Sequence, residues 1–455
     1  MLRQAHRITS MRFTPVAVFA ATTYYLSTVS TVTVRAFSMS IPNKTSMMEQ
    51  QQPLTIDFQN SWIKQLSPET PENLQRSLRS EGLSGKDDVN RTKRQVFNGH
   101  YVFVEPTGLK DPRLILVSSD VAERLKLSDQ QLQSQDFLNY VSGNLVFDDD
   151  NNKSSNSWAT PYALSIMGTR YTNNCPYGTG NAYGDGRAIS IGEFANQELQ
   201  LKGGGPTPFC RTADGRAVLR SSIREFLASE AMHHLNVRTT RALSLVVSQK
   251  DTVNRPWYSN NAKVTLPSPD DPRLANYSVE EKQNILAQLR TEKSDPNIMI
   301  REPCAITCRV SPSFVRVGHF DLFARRVEKI AQVGKDMFGD GDNNGKKQSR
   351  YDTSTREWKE LTELVWHACY REFREEAFVP FKEENDIVGA ATVLLDQSAD
   401  RLATMTANWI RVGFAQGNFN ADNCLVGGHT MDYGPFGFME EYSPFFAKWT
   451  GCVFI

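Results

Sequence analysis

Two acidic residues late in the chain, Asp422 and Asp432, lie ten positions apart in a glycine-rich segment, and Asn423 follows the first of them. Carboxylate and amide oxygens are ligands that Mg²⁺ accepts, often together with the phosphate oxygens of a nucleotide. Asp422 could accept a proton from an attacking hydroxyl or orient it, while Asn423 and Asp432 could bind the metal. Ordinary turns are the alternative, but the position directly after a strong predicted helix favours a site.

A lysine and a glutamate upstream form a second candidate pair. Lys202 ends a short predicted strand of alternating apolar and polar residues, and Glu225 lies on the next predicted helix. The glycine-rich segment 178–187 could bring backbone N–H groups close to phosphates, because glycine lacks a Cβ. Singly, these features are also typical of a plain hairpin and a solvated surface. Together with Asp-Tyr-Gly at 432–434, similar to the Asp-Phe-Gly of protein kinases, they indicate a phosphate-binding lysine held by an ion pair.

Two arginines, Arg309 and Arg316, lie seven positions apart in a segment of strand character. Arginine stays charged and binds phosphate through parallel N–H groups, so this pair could hold a nucleotide. Surface arginines without a ligand are the alternative that the sequence leaves open.

The pattern of apolar residues predicts helices and strands in one fold. An amphipathic helix is predicted at 217–235, with Leu227 on its apolar face, Glu225 on another stripe and Asp214 at its N-cap. Further elements are predicted as a strand at 239–247, a helix at 279–293, a strand at 304–317, and two helices centred on 358–369 and 402–410. The sequence therefore predicts the α+β class.

The composition is that of a globular protein. The 455 residues are 40% hydrophobic and 22% charged, with a formal net charge of zero, so overall charge gives no reason to expect nucleic-acid binding. We expect no nucleic-acid partner and no stable membrane insertion. Seven cysteines, without a Cys-x-x-Cys pair, predict reduced and mostly buried thiols.

The first 48 residues contain no aspartate or glutamate and carry arginines among many serines and threonines. This composition is typical of an organellar targeting peptide, so we predict such a peptide at 1–48 and a mitochondrial location. A plastid or the secretory route is the alternative. The polar residues 49–95 predict a linker or N-terminal arm.

Four blocks resemble one enzyme family: residues 184–193, 199–245, 309–323 and 412–438. They are similar to the selenoprotein O family, the YdiU-type protein adenylyltransferases. The resemblance implies a protein-kinase-like bilobal fold that binds ATP in an orientation flipped relative to ordinary kinases. It implies transfer of AMP from ATP to serine, threonine or tyrosine hydroxyls of proteins, with pyrophosphate leaving. Mg²⁺ is the implied cofactor, with Mn²⁺ as its alternative.

The resemblance also implies roles for individual residues. Asp422 matches the proton acceptor, and Asn423 and Asp432 match the metal ligands. Lys202 matches the phosphate-binding lysine, and Glu225 matches its helical partner. The positions that match nucleotide contacts are Gly184, Gly186, Arg187, Lys202, Asp214, Gly215, Arg309, Arg316 and Asp432. This expectation replaces the N-cap prediction for Asp214.

The family pattern also divides the chain. It predicts an N-lobe at 96–250, an insertion at 251–300, and the remaining N-lobe strands with part of a C-lobe at 301–455. Because the family continues beyond the matched blocks, an incomplete C-lobe is expected.

Two departures from the family pattern concern the site. Gln416 and Gly417 replace the usual His-Gly, which predicts altered support of Asp422, and residues 174–183 replace the usual segment before the glycine motif. These departures leave a second function open, that of a catalytically impaired, nucleotide-binding pseudokinase scaffold.

Overall fold

The computed structural model describes residues 34–36, 54, 56–83, 89–144, 157–211, 213–257, 268, 271, 274–275, 277–291, 297–338 and 351–441. The predicted targeting peptide lies outside these ranges except for Val34–Ala36, and residues 442–455 also lie outside them. None of the helices in these ranges is long and apolar enough to cross a lipid bilayer. The six cysteines described are buried and unpaired with one another, as predicted.

Helices and strands combine in an order that confirms the α+β class. The strands in the described ranges are β1 (Val34–Ala36), β2 (Val102–Phe103), β3 (Pro112–Ser118), β4 (Trp158–Ala159), β5 (Pro161–Tyr162), β6 (Ser165–Ile166), β7 (Thr169–Arg170), β8 (Tyr183–Gly184), β9 (Ala188–Phe194), β10 (Gln197–Lys202), β11 (Ala217–Val218), β12 (Arg241–Trp257), β13 (Ile298–Ser311), β14 (Phe414–Gln416) and β15 (Phe436–Phe438). The helices are α1 (Ser61–Gln65), α2 (Pro71–Glu81), α3 (Ser119–Arg124), α4 (Asp129–Leu132), α5 (Gln135–Val141), α6 (Leu219–His234), α7 (Val279–Thr291), α8 (Val317–Phe338), α9 (Arg356–Glu372), α10 (Val379–Lys382) and α11 (Ile387–Arg411), with a π-helical turn at Arg374–Phe378 and a 3₁₀ turn at Ala421–Asn423.

One large antiparallel sheet carries the first half of the site. Its strand order is β1-β3-β12-β13-β10-β9-β4-β2, and β11 also pairs with β13. Strand β10 lies between β9 and β13, and Leu199 and Leu201 are fully buried on one of its faces. Because side chains alternate along a strand, Gln200 and Lys202 lie on the other face. The predicted strand thus places Lys202 at the end of a central strand.

Helix α6 packs on the sheet with a face that differs from the predicted one. Glu225 is buried together with Ser222 and Ser229, whereas Leu227 is 52% exposed. The reason is a long-range contact, because Glu225 forms an ion pair with Lys202 of β10. A polar stripe therefore faces inward, which spacing along the helix alone did not indicate.

The start of α6 also differs from the prediction. Ala217 and Val218 pair with β13, so the helix begins at Leu219 and Val218 takes the N-cap position. Asp214 lies outside the helix and accepts two hydrogen bonds from the guanidinium of Arg255, at 2.8 and 2.9 Å. The N-cap expectation for Asp214 was wrong.

Strands β12 and β13 form a hairpin that continues into the segment predicted as an insertion, 251–300. Their pairing extends to Trp257 and Ile298. Helix α7 at Val279–Thr291 confirms the helix predicted at 279–293 to within two residues. The described part of this segment therefore begins and ends as an extension of the sheet.

Residues 49–95, which their composition predicts as a linker or arm, are in part folded against the rest of the protein. They contain α1 and α2, and Trp62 of α1 is 2% exposed, with its ring against His319 and His367. The backbone N–H of Ser61 donates to the carboxylate of Glu193 at 2.8 Å. A few anchoring residues are enough to dock a polar segment, so its mean composition did not reveal the packing.

The segment 312–316 joins β13 to α8 and is held from both sides. From the sheet, buried Glu198 accepts a hydrogen bond from the backbone N–H of Phe314 at 3.1 Å. From the helices, Glu372 of α9 accepts the hydroxyl hydrogen of Ser313 at 2.6 Å. Two buried carboxyl groups thereby fix the backbone that leads to Arg316.

Glu198 should make stability depend on pH. Burial raises its pKa from 4.5 to about 7, against the lowering effect of hydrogen bonds from Ser190 and Phe314. The folded chain then holds this proton more tightly than the unfolded chain, so the free energy of unfolding falls as pH rises between these values. Glu198→Gln should remove this pH dependence, which totals on the order of 3 kcal/mol between these two values. Chemical denaturation at pH 5 and pH 8 measures it, with exposed Glu384→Gln as control, and an unchanged slope in Glu198→Gln would refute the assignment.

Candidate functional site

A cleft of about 910 Å³ brings the predicted residues together. Every predicted site residue except Glu225 lines the cleft, and Glu225 forms an ion pair with Lys202 without lining the cleft itself. The volume is within the range of small-molecule sites. The cationic residues that line it are Arg187, Lys202, Arg211, Arg216, Arg255, Arg309 and Arg316. They outnumber the lining carboxylates, so the cleft suits a polyanion such as a triphosphate.

Lys202 and Asp432 line the cleft and form a buried triad of charges with Glu225. The Nζ of Lys202 lies 2.5 Å from Oε2 of Glu225 and 3.1 Å from Oδ1 of Asp432. The structure thus contains the lysine–glutamate ion pair that the sequence predicted. Burial tends to raise the pKa of Asp432, but Lys202 and Arg309 outweigh it and hold that pKa below its usual value. Asp432 is therefore ionised at neutral pH and offers a hard carboxylate oxygen to a cation.

Arg309 and Arg316 both reach the cleft from buried positions. Arg309 donates to Oε1 of Gln200 at 2.5 Å, and Arg316 donates to Oδ1 of Asp185 at 2.6 Å. The Nε atom of each is buried and has no hydrogen-bond partner among the residues that the structure describes. Both side chains also line the cleft, so a phosphate group bound there could accept hydrogen bonds from them.

The loop 418–432 carries the candidate metal ligands on a fixed turn. Helix α11 holds this loop, because the indole N–H of Trp409 donates to Oγ1 of Thr430 at 2.8 Å. The amide nitrogen of Asn423 donates to the carbonyl of Asn418 at 3.1 Å, so its Oδ1 remains for a cation. Asp432 would supply the second oxygen ligand.

These two residues suit Mg²⁺ that is also bound by phosphate oxygens and water, and they do not suit a metal ion bound by side chains alone. Within the described ranges, no group of three or more His, Cys, Asp or Glu side chains could hold a metal ion. Mg²⁺ is commonly bound by one or two carboxylates plus phosphate oxygens and water. Asn423 and Asp432, together with a bound nucleotide, match that donor set.

Asp422 has the properties of a proton acceptor. It lies in the 3₁₀ turn Ala421–Asn423, and its Oδ1 is buried with no hydrogen-bond partner in the described part of the chain. Burial raises the pKa of Asp422 above its usual value, although Arg316 opposes the shift. A carboxylate with a raised pKa and a free oxygen can take a proton from a hydroxyl bound in the cleft.

Residues 89–263 and 288–450 match the profile of the family described as "Protein adenylyltransferase SelO". The chain belongs to this family. The resemblance stated from the sequence is confirmed, and the unmatched residues 264–287 fall within the predicted insertion.

Relatives of this SelO-family chain carry the name "Protein nucleotidyltransferase YdiU". The one from Xanthomonas campestris pv. campestris strain 8004 is 36% identical over 378 residues, which cover 82% of this chain and 55% of the relative. Those from Methylobacillus flagellatus and Azoarcus sp. BH72 are 32% and 35% identical, over 80% and 77% of this chain and 54% and 52% of the relatives. The chain therefore spans about half the length of the curated relatives it matches.

The SelO-family glycines at 184 and 186 are required by close packing. A Cβ at Gly184 would lie 2.4 Å from the ring of Phe209, and one at Gly186 would lie 2.8 Å from the Phe209 carbonyl oxygen. The glycine segment thus folds directly against the loop that leads to Asp214 and Gly215. This contact, together with any approach of phosphate, accounts for the absence of side chains at both positions.

Gln416 contacts a different aspartate from the one expected. Its side-chain N–H donates to the backbone carbonyl of Asp432, and its Oε1 is buried without a partner among the described residues. Among the described residues, no hydrogen bond joins Gln416 to Asp422, so altered support of Asp422 stays a prediction. Gln416 instead supports the metal-ligand side of the cleft.

Sequence patterns did not indicate several residues of the cleft. Arg255 lies in the segment predicted as an insertion, yet it lines the cleft and fixes Asp214. Asp185 is 2% exposed and pairs with Arg316, 131 positions along the chain. The position of Asp185 between Gly184 and Gly186 was the one sequence feature that could have indicated that it belongs to the cleft.

Proposed function

We propose that this chain is an ATP- and Mg²⁺-dependent protein adenylyltransferase that transfers AMP to serine, threonine or tyrosine hydroxyls. The observation that carries the proposal is the buried contact of Lys202 with both Glu225 and Asp432, in a cationic cleft that also holds Asp422. Membership of the SelO family supports the choice of AMP rather than the γ-phosphate as the transferred group.

The chemistry assigns one role to each part of the cleft. Asp422 takes the proton of the attacking hydroxyl, whose oxygen forms a bond to the α-phosphorus while the bond to the pyrophosphate oxygen breaks. Lys202, Arg309 and Arg316 hold phosphate oxygens and balance the charge on the leaving pyrophosphate. Mg²⁺, when bound through Asn423 and Asp432, supplies further charge neutralisation on the phosphates.

We further propose that the fold is the protein-kinase-like bilobal one. The supporting features are a strand lysine paired with a helical glutamate, and an Asp-Tyr-Gly segment placed beside that lysine. The antiparallel sheet would form the first lobe, and α8, α9 and α11 would form the described part of the second. ATP would then be oriented with its α-phosphorus toward Asp422.

The position of a radioactive label in ATP tests this function. Incubation with ATP labelled at the α-phosphate should mark a protein, either this chain or a substrate, whereas ATP labelled at the γ-phosphate should not. Label arriving only from the γ position would identify a kinase instead. ATP binding without transfer of either label would identify the nucleotide-binding scaffold.

A further inference from the structure

Arg316 is held by a closed ring of hydrogen bonds that includes three residues outside the predicted site. These residues are Thr160, Asp185 and His319. All four residues are buried: Thr160 is 5% exposed, Asp185 2%, His319 1% and Arg316 3%. The ring therefore lies in the protein interior, where hydrogen bonds are strong and an unmatched polar group is costly.

The direction of each hydrogen bond in the ring is determined. The backbone N–H of Arg316 donates to Nδ1 of His319 at 2.8 Å, so the neutral imidazole carries its hydrogen on Nε2. Nε2 then donates to Oγ1 of Thr160 at 3.0 Å, and that hydroxyl donates to Oδ2 of Asp185 at 2.5 Å. Oδ1 of Asp185 accepts from the guanidinium of Arg316 at 2.6 Å, which closes the ring.

The ring holds both the backbone N–H and the guanidinium of Arg316. Arg316 directly precedes α8, and His319 is the third residue of that helix, so the first bond resembles the reciprocal half of a capping box. The remaining bonds fix the guanidinium relative to the same backbone. The ring of Tyr162 lies beneath the guanidinium, with 4.4 Å between the Arg316 Cζ and the ring centroid.

The charges within the ring are stable at neutral pH. Burial lowers the pKa of His319 well below its ordinary value, and the Arg316 charge lowers it further, so the imidazole stays neutral. Burial also opposes the charge on Arg316, but Asp185 and Tyr162 outweigh it and raise the pKa of the guanidinium. Arg316 thus keeps both its charge and its orientation.

We propose that Thr160, Asp185 and His319 are positioning residues that preorganise Arg316 for a phosphate group of the nucleotide. The inference rests on the proposed function, which places that phosphate in the cleft. Arg316 and Asp185 line the cleft, whereas Thr160 and His319 are not among its lining residues. The Thr160 hydroxyl therefore acts on a nucleotide indirectly, and the ring offers a route through Asp185 and Arg316. Holding a long side chain in its bound geometry removes part of the entropy that binding would otherwise lose.

Thr160→Val tests the ring with little change of shape. The backbone N–H of Thr160 still donates to Asp185 at 3.0 Å, so only the hydroxyl is lost. We expect ATP affinity, measured by titration calorimetry with Mg²⁺, to fall about ten-fold, while adenosine affinity stays the same, because the ring acts on a phosphate contact. Thr160→Ser restores the hydroxyl and should restore ATP affinity.

A double-mutant cycle separates positioning from a general structural role. Arg316→Gln alone should weaken ATP binding, and adding Thr160→Val to it should cause no further loss. Equal losses of ATP and adenosine binding, or additive losses in the double variant, would overturn the positioning role. Thr392→Val, which removes a hydroxyl on the exposed side of α11, is the matched control.

A second variant covers the case in which Thr160→Val does not fold. His319→Leu removes the hydrogen bonds from the Arg316 backbone N–H and to the Thr160 hydroxyl, and should give the same selective loss of ATP affinity. If Arg316→Gln leaves ATP affinity unchanged, the phosphate contact in the proposed function is wrong. If Arg316→Gln weakens ATP binding but neither ring variant does, the proposed function stands and the positioning role fails.

Discussion

Asp432→Asn is expected to reduce transfer of AMP to protein by about a thousand-fold or more, because it removes the only charged metal ligand proposed here and weakens neutralisation of the leaving pyrophosphate. The neighbouring cations hold the pKa of Asp432 below its usual value, so the wild-type ligand is an anion. Asparagine keeps the size of the side chain and removes that charge. The loss should appear in Mg²⁺-dependent ATP affinity as well as in the transfer rate.

The variant should nevertheless fold. Removing one partner of a buried ion pair is costly when it leaves the other charge without compensation. Here the Nζ of Lys202 keeps Glu225 at 2.5 Å after Asp432 is neutralised. Thermal unfolding without nucleotide should therefore resemble that of the wild type. If the variant lost activity and also lost its cooperative thermal unfolding transition, the loss would reflect unfolding and would not support the metal assignment.

The measurement uses ATP labelled at the α-phosphate, with and without Mg²⁺. The exposed carboxylate of Asp396 on α11 offers a matched control, because Asp396→Asn makes the same change of charge away from the cleft. The control should transfer label at the wild-type rate. Transfer by Asp432→Asn at more than a tenth of the wild-type rate would contradict the assigned role.

Local patterns in the sequence predicted the parts of the fold that depend on neighbouring residues. The alternation at Leu199 to Lys202 predicted β10, and the helical spacing at 358–369 predicted α9. Both elements formed because apolar side chains at these spacings share one buried face. The Lys202–Glu225 pair was also predictable, since it combines a known arrangement with two such elements.

Contacts between distant segments explain what the sequence did not indicate. The polar stripe of α6 is buried because Glu225 faces Lys202, and no property of the helix alone distinguishes it from a solvated stripe. Asp185 and Arg316 are separated by 131 positions, and Arg255 reaches the cleft from the extended hairpin. Charged residues of these types are usually exposed, so only the fold reveals that Glu225, Asp185 and Arg316 are buried and paired.

Asp422→Asn is the second substitution with a large expected effect, and it should act on the chemical step alone. Loss of a general base lowers the rate by roughly 10²- to 10⁴-fold. The proposed metal ligands and the cations that hold phosphate remain, so ATP should still bind in the presence of Mg²⁺. This separates Asp422→Asn from Asp432→Asn, which should lose Mg²⁺-dependent binding as well.

The pH dependence of transfer gives Asp422 a signature that a structural role would lack. The base must be ionised, so the wild-type rate should rise with pH through the pKa of Asp422, which burial raises above its usual value. In Asp422→Asn the residual rate should lose this limb of the profile. Measurement of single-turnover transfer across pH, with ATP saturating, isolates the step. A variant that keeps the limb, or that loses ATP binding together with transfer, would show that the attacking hydroxyl gives its proton to another group.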